Sequence, residues 1–202
     1  MGKPDPSHPL RLGVLISGGG TTLQNLAEVI ARGELDARIA CVIASNATCG
    51  GIERASRLGM PVHVVTRKDC GSLESFSERI AHVLRHHSVQ LALMAGFLSL
   101  WQIPEDFTGR VMNIHPALLP KHGGKGMHGE HVHAAVLAAK EKESGCTVHF
   151  ADNTYDTGPT IVQKSVPVHP NDTPETLAAR IFEQECVAYP EAIRLYIKRQ
   201  KK

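Results

Sequence analysis

The sequence predicts an α/β fold, with one doubly wound and mainly parallel sheet followed by an antiparallel pair of C-terminal strands. Short aliphatic runs alternate with segments in which apolar residues recur at helical spacing, a pattern typical of parallel sheets with right-handed crossovers. The 202 residues, 42% of them hydrophobic and 21% charged, suit a single soluble α/β domain. We therefore expect a lead-in over residues 1–10 and one domain over residues 11–202.

The first half of the chain supplies the alternating units. The aliphatic and β-branched run at 12–17 is typical of a buried strand, and the glycine-rich segment 18–22 ends it before helical spacing begins. Gly59 is a suitable C-terminal stop for the second helix. In chain order we predict a strand over 12–17, a helix up to Gly33, a strand over 39–43, a helix over 51–58, a strand over 62–65, a helix over 72–87 and a strand over 91–96.

The second half is predicted to complete the sheet. A strand is expected over 111–115 and a helix over 132–140, and strands over 146–150 and 160–168 are expected to pair in antiparallel fashion. The last helix should span 174–198, because Thr173 is a favourable N-cap and Pro174 suits the first helical position. Pro190 should bend or break this helix, since it lacks a backbone N–H.

The glycine-rich segment 18–22 predicts an anion site. Backbone N–H groups at a helix N-terminus bind anions, and glycines allow their close approach. The segment lacks the Lys-Ser/Thr pair of a P-loop, and Leu23 stands where a dinucleotide fingerprint has its last glycine, so ATP and NAD are disfavoured. A tight turn without any ligand is the alternative.

Three polar residues outside that segment are suited to carbonyl chemistry. Asn113 and His115 are two positions apart, so in an extended segment their side chains leave the same face. Asp156 precedes a Gly-Pro turn, from which a short carboxylate can be directed at an imidazole. An amide, an imidazole and a carboxylate can together polarise a carbonyl, stabilise charge on its oxygen and move a proton.

Over residues 11–195 the sequence resembles the folate-dependent formyltransferases and, among them, the phosphoribosylglycinamide formyltransferases. The blocks that carry the resemblance occur in the family's order: Met-Ala-Gly-Phe at 94–97, Asn-Ile-His-Pro-Ala-Leu-Leu-Pro at 113–120, Gly-Cys-Thr-Val-His-Phe at 145–150 and Asp-Thr-Gly-Pro at 156–159. The resemblance implies a Rossmann-like formyltransferase fold. It also implies transfer of a formyl group from 10-formyltetrahydrofolate, as co-substrate, to the amine of glycinamide ribonucleotide in purine biosynthesis.

In that reaction the substrate amine attacks directly, without a covalent enzyme intermediate. The resemblance implies that Asn113 and a charged His115 stabilise the oxyanion. Asp156 is expected to favour the charged imidazole and to hold a water that relays the proton.

The resemblance also implies binding residues. Gly20, Thr21 and Thr22 fall on the family's phosphate turn, although Thr22 replaces an asparagine. His133 and Glu185 match residues that contact the substrate, while a surface glutamate is the plain alternative for Glu185. The residues that match the folate pocket are Leu98, Ser99, Leu100, Trp101, Asn153 and Tyr155. Arg67 is placed with them because it matches a family position that contacts anionic ligand groups. Core packing for Leu98 and Leu100, and solvated surface for Arg67, are equally open.

The segment 121–133 is longer than in the best-known family members and carries His122, His128, His131 and His133 among glycines. Clustered histidines raise the question of a metal site. No cysteine accompanies them, so we expect no metal and favour a mobile glycine-rich lid over the substrate.

Other observations restrict the partners. The net charge of +2 is too small to predict nucleic acid binding, and no apolar run is long enough to predict a membrane helix. Five scattered cysteines without a CxxC pair favour a reducing, cytoplasmic setting. We expect small-molecule substrates as the partners, and a monomer or homodimer. A formyltetrahydrofolate deformylase, a sugar-nucleotide N-formyltransferase and a non-catalytic nucleotide-binding module remain alternatives. A methionyl-tRNA formyltransferase is disfavoured, because it needs a further C-terminal domain and a basic surface.

Overall fold

A computed structural model describes residues 9–201 and contains the predicted alternation of strands and helices. The strands are β1 (Leu10–Ile16), β2 (Ala37–Ala44), β3 (Val62–Val64), β4 (Leu91–Met94), β5 (Val111–His115), β6 (Glu143–Phe150) and β7 (Thr160–Pro167). The helices are α1 (Thr21–Ala31), α2 (Gly50–Arg57), α3 (Arg67–Cys70), α4 (Leu73–His86), α5 (Glu130–Ala138) and α6 (Pro174–Gln200), with a 3-10 turn at Glu105–Phe107.

The seven strands form one sheet in the order β3-β2-β1-β4-β5-β6-β7. β1 is parallel to β2 and to β4, and β2 is parallel to β3. β6 and β7 are antiparallel, with Glu143 opposite Pro167 and Thr147 opposite Gln163. The predicted fold class is thereby confirmed, including the antiparallel C-terminal pair.

The described chain is divided into two compact units. One contains the residues up to Met112 together with those from Ile193 onward, and the other contains Asn113–Ala192. The single domain over 11–202 therefore stays a prediction. Most of the predicted lead-in, residues 1–8, lies outside the described residues, and Leu10 already begins β1.

Apolar spacing explains the helices of the first unit. α4 has its apolar side chains on one face, where Phe76, Ile80 and Leu84 are fully buried. Ser72 caps this helix, because its side chain accepts a hydrogen bond from the Ser75 N–H. In the same unit α1 follows β1, so the glycine-rich segment 18–22 lies at the N-terminus of α1.

The last helix corrects one prediction. α6 runs unbroken from Pro174 to Gln200 with Pro190 inside it, so Pro190 does not break the helix, whereas the predicted bend stays a prediction. Pro190 removes one backbone donor, but the neighbouring Ala188, Tyr189 and Ala192 are fully buried. Burial of this face holds the helical path where local propensity opposes it. Even at this length α6 lacks the apolar character of a membrane span, as do the other helices between residues 9 and 201.

Candidate active site

β5 presents the amide and the imidazole of the predicted trio to one carboxylate. Asn113 Nδ2 lies 3.3 Å from Asp156 Oδ1, and His115 Nδ1 lies 3.5 Å from Asp156 Oδ2. His115 is 4% exposed, whereas Asn113 is half-buried. The structure therefore brings together the three side chains that sequence spacing selected, all within the unit formed by residues 113–192.

Asp156 is placed by its loop. Its backbone adopts the left-handed conformation at φ 57°, which an aspartate tolerates better than most side chains. The Gly124 N–H donates to Asp156 Oδ2 at 2.9 Å. A Cβ added to Gly123 would lie 2.5 Å from Leu119 Cδ2 and 3.3 Å from the Asp156 Cβ, so a side chain here would displace Leu119 and press on Asp156.

A fourth side chain, His149 on β6, belongs to the cluster and was not predicted as a site residue. Its Nε2 lies 3.2 Å from Asn113 Nδ2 and 3.5 Å from Asp156 Oδ1. Its Nδ1 lies 2.9 Å from the Phe150 carbonyl, which can only accept. When the ring is neutral, Nε2 is therefore free to accept from the Asn113 amide and to orient it. The only sequence signal was its position in the Gly-Cys-Thr-Val-His-Phe block.

The same reasoning fixes the His115 tautomer. His115 Nε2 lies 2.8 Å from the His122 carbonyl oxygen, so Nε2 carries the donated proton. In the neutral ring, Nδ1 then has its lone pair towards Asp156. The His122 carbonyl thus occupies the imidazole donor in this structure.

Electrostatics correct the expectation of a charged His115. Burial lowers the pKa of His115, and although Asp156 and the His122 carbonyl raise it, the net pKa lies below the ordinary value. The imidazole is therefore neutral near pH 7 in the free protein. Burial raises the pKa of Asp156, but the nearby His149, the Gly124 N–H and His115 outweigh it, so Asp156 is ionised.

His133 and Glu185 were predicted to contact the substrate, and the structure buries His133 and half-buries Glu185. His133 is 5% exposed, and its Nδ1 has no hydrogen-bond partner among the described residues. Burial, together with the nearby His115, lowers the pKa of His133. Glu185 lies on α6, where burial raises its pKa to about 7. Both side chains therefore retain hydrogen-bonding capacity that a ligand can use.

The glycine-rich turn lies in the other unit. Gly20 has φ 73° and is the N-cap of α1, a position that disfavours side chains. Thr21 is exposed and Thr22 is 9% exposed. The Arg54 Nε donates to the Gly19 carbonyl at 3.0 Å, so the turn has a cationic neighbour that sequence reasoning missed.

The predicted folate residues divide by exposure. Trp101 is 1% exposed, donates from its indole N–H to the Ser77 carbonyl and packs on Phe107. Its side chain is a core group, so only its backbone is available to a ligand. Leu98 is 53% exposed, and its N–H donates to the Ser17 hydroxyl. The other members are Ser99 and Leu100, which are half-buried, and Arg67, Asn153 and Tyr155, which are exposed.

The histidines of segment 121–133 do not converge. His128 and His131 contact each other edge to face at 5.7 Å, while the His122 ring faces Glu141 at 3.3 Å. Among residues 9–201, no three histidine, cysteine or acidic side chains are grouped as metal ligands. The segment instead contributes the Gly124 N–H and the His122 carbonyl to the candidate site.

Comparison with known proteins identifies the family. The model of the formyl transferase family matches residues 10–193. The chain is 38% identical over 186 residues to the chloroplastic phosphoribosylglycinamide formyltransferase of Arabidopsis thaliana. The matched region is 91% of this chain but only 64% of that protein. It is 39% identical to the trifunctional purine biosynthetic protein adenosine-3 of Drosophila melanogaster, over 93% of this chain and 14% of that protein.

A bacterial relative and a solved structure are matched over most of their length. The phosphoribosylglycinamide formyltransferase of Haemophilus influenzae is 34% identical over 92% of this chain and 86% of that protein. The crystal structure of glycinamide ribonucleotide transformylase 1 from Symbiobacterium toebii superposes with a TM-score of 0.87 at 38% identity, covering 95% of this chain and 89% of that one. The chain belongs to the formyl transferase family.

Proposed function

We propose that this protein transfers a formyl group from 10-formyltetrahydrofolate to the amine of glycinamide ribonucleotide. The observation that carries the proposal is the arrangement of Asn113 and His115 on one carboxylate, Asp156, at 3.3 and 3.5 Å. The names of the Arabidopsis thaliana and Haemophilus influenzae relatives and of the Symbiobacterium toebii structure, which specify formyl transfer to this substrate, support it.

In the proposed reaction the amine nitrogen attacks the formyl carbon, and negative charge develops on the formyl oxygen. The Asn113 amide keeps one N–H on His149 and donates the other, which faces Asp156 in the free protein, to that oxygen. The His115 Nε2–H, which the His122 carbonyl accepts in the free protein, is the second donor. Donors of this kind contribute about 3–4 kcal/mol each to the transition state.

Proton transfer follows from the charge state of the site. Neutral His115 becomes more basic as negative charge develops beside it, so it can bind the proton that the attacking amine loses. Ionised Asp156 stabilises the resulting imidazolium and holds a water in the relay. The proton then passes to the departing folate nitrogen as the carbon–nitrogen bond to the folate breaks.

We further propose that the turn with Gly20, Thr21 and Thr22 binds the substrate phosphate, because backbone donors at the start of α1 suit an anion. Glu185 accepts hydrogen bonds from the ribose hydroxyls, and His133 donates or accepts with its unused ring nitrogen. The proposed folate-binding residues are those that the resemblance implies, and of these Leu98 and Tyr155 are exposed. A cytoplasmic location is supported by the reduced cysteines, none of which forms a disulfide among the described residues, and a monomer or homodimer stays a prediction.

One assay separates the candidate functions. The protein is incubated with 10-formyltetrahydrofolate, with and without glycinamide ribonucleotide, while folate absorbance is followed. Turnover that requires the ribonucleotide supports the proposal. Turnover without it supports a deformylase, turnover only with an amino-sugar nucleotide supports a sugar-nucleotide formyltransferase, and the absence of turnover supports a binding module.

A further inference from the structure

A cavity of about 690 Å³ lies within residues 113–192. It is not lined by the proposed catalytic trio of Asn113, His115 and Asp156. Its walls are the segment after β5, residues 118–122, and the segment between α5 and the start of β6, residues 140–144. This volume is typical of small-molecule sites. The proposed function assigns no ligand to it.

A buried hydroxyl in the cavity wall has no partner. Ser144 is 2% exposed, and its Oγ makes no hydrogen bond to any described residue. A buried hydroxyl without a partner destabilises a fold, so such groups are rare unless a ligand or water pairs with them. Ser144 thus points to a polar ligand group.

The charges of the wall favour an anion. Lys121 is neutralised by Glu141, with Nζ 3.0 and 3.1 Å from its carboxylate oxygens. Lys140 and Lys142 are exposed and have no ion pair among the described residues. Glu143 also lines the cavity, so the wall carries three lysines, Lys121, Lys140 and Lys142, against the two glutamates Glu141 and Glu143, and these side chains sum to a charge of +1.

The opposite wall is apolar and fixed. Leu118 and Leu119 are half-buried and Pro120 is exposed, so their side chains offer contact to a ring. Thr147 Oγ1 accepts from the Leu119 N–H at 3.1 Å and donates to the Ala117 carbonyl at 2.7 Å. This anchoring makes the wall available without rearrangement.

We propose that this cavity binds an organic anion of nucleoside monophosphate size. Its ring lies against Leu118, Leu119 and Pro120, its phosphate or carboxylate pairs with Lys140 and Lys142, and a polar ring atom bonds to Ser144 Oγ. The proposal does not rest on formyl transfer, because neither the trio nor the glycine-rich turn lines the cavity.

The test is a titration of the ¹⁵N-labelled full chain with AMP, adenosine, inorganic phosphate and benzoate. AMP should shift the amide signals of residues 118–122 and 140–144, and adenosine and inorganic phosphate should each bind at least tenfold more weakly. Benzoate distinguishes a preference for carboxylate from one for phosphate, and either anion binding at these residues supports the site. Shifts confined to residues 18–22, or no shifts with AMP and benzoate, would overturn it.

Variants separate binding from folding. Lys140→Ala combined with Lys142→Ala should weaken AMP binding at least tenfold, whereas the charge-matched control Lys68→Ala with Lys198→Ala should leave it unchanged. Ser144→Ala should weaken binding without lowering the melting temperature, because it removes an unpaired hydroxyl. Equal affinity in the cavity variants and the control would refute the assignment.

Discussion

Replacing Asp156 by asparagine removes a charge and leaves the shape of the side chain almost unchanged. The variant keeps an oxygen that can accept from the Gly124 N–H, which lies 2.9 Å from Asp156 Oδ2. We therefore expect the fold to survive. The lost element is the negative charge 3.5 Å from His115 Nδ1.

The size of the effect follows from that distance. With an effective dielectric constant of about 20, a carboxylate at this separation stabilises an imidazolium by at most about 5 kcal/mol. Solvent screening reduces this, and about 3 kcal/mol corresponds to a decrease in kcat of about 100-fold. Because the charge acts mainly once His115 binds a proton, KM should change by less than about threefold.

The assay is steady-state formyl transfer to glycinamide ribonucleotide, with Asp152→Asn as the matched control. Asp152 is an exposed carboxylate of the same loop that accepts from the Thr154 N–H, and the control should retain full activity. The pKa of His115, followed by NMR, should fall further in Asp156→Asn because the carboxylate that raises it is gone. A kcat within threefold of the original would remove Asp156 from the mechanism.

Three further substitutions test the site. His149→Gln should lower kcat about tenfold at unchanged stability, because the Asn113 amide loses the ring that orients it; equal kcat would refute that role. Burial raises the pKa of Glu185 from 4.5 to about 7, so its ionisation opposes folding between these pH values. In urea unfolding, Glu185→Gln should therefore be more stable at pH 8, by up to about 3 kcal/mol, and equally stable at pH 4; a pH-independent difference would contradict the burial. Gly20→Ala should destabilise by about 1–3 kcal/mol because of its positive φ, while Gly18→Ala, with open space around it, should change stability by less than about 0.5 kcal/mol; equal effects would argue against strain at the turn.

The fold and the grouping of Asn113, His115 and Asp156 were accessible from the sequence because both depended largely on local signals. Alternation of strands and helices predicted the sheet, and the two-residue spacing of Asn113 and His115 predicted a shared face. The prediction that Asp156 lies beside His115 also needed the resemblance to the family, because a carboxylate in a loop has no periodic spacing that indicates which side chain it faces.

The features that could not be predicted from the sequence depend on contacts between distant segments. The neutral state of His115 results from burial outweighing one nearby carboxylate, and burial is a property of the packed chain. The Trp101 side chain lies in the core because Ser77, far away in sequence, accepts its indole N–H. Likewise, α6 continues through Pro190 because its neighbours are buried, which a propensity scale does not contain.

The most direct test of the central claim is to follow a labelled carbon. The enzyme is supplied with 10-[¹³C]formyltetrahydrofolate and glycinamide ribonucleotide, and the products are examined by ¹³C NMR. Direct attack by the substrate amine predicts that the label appears as a formamide carbon on the ribonucleotide. Label found only in free formate would contradict formyl transfer to this acceptor.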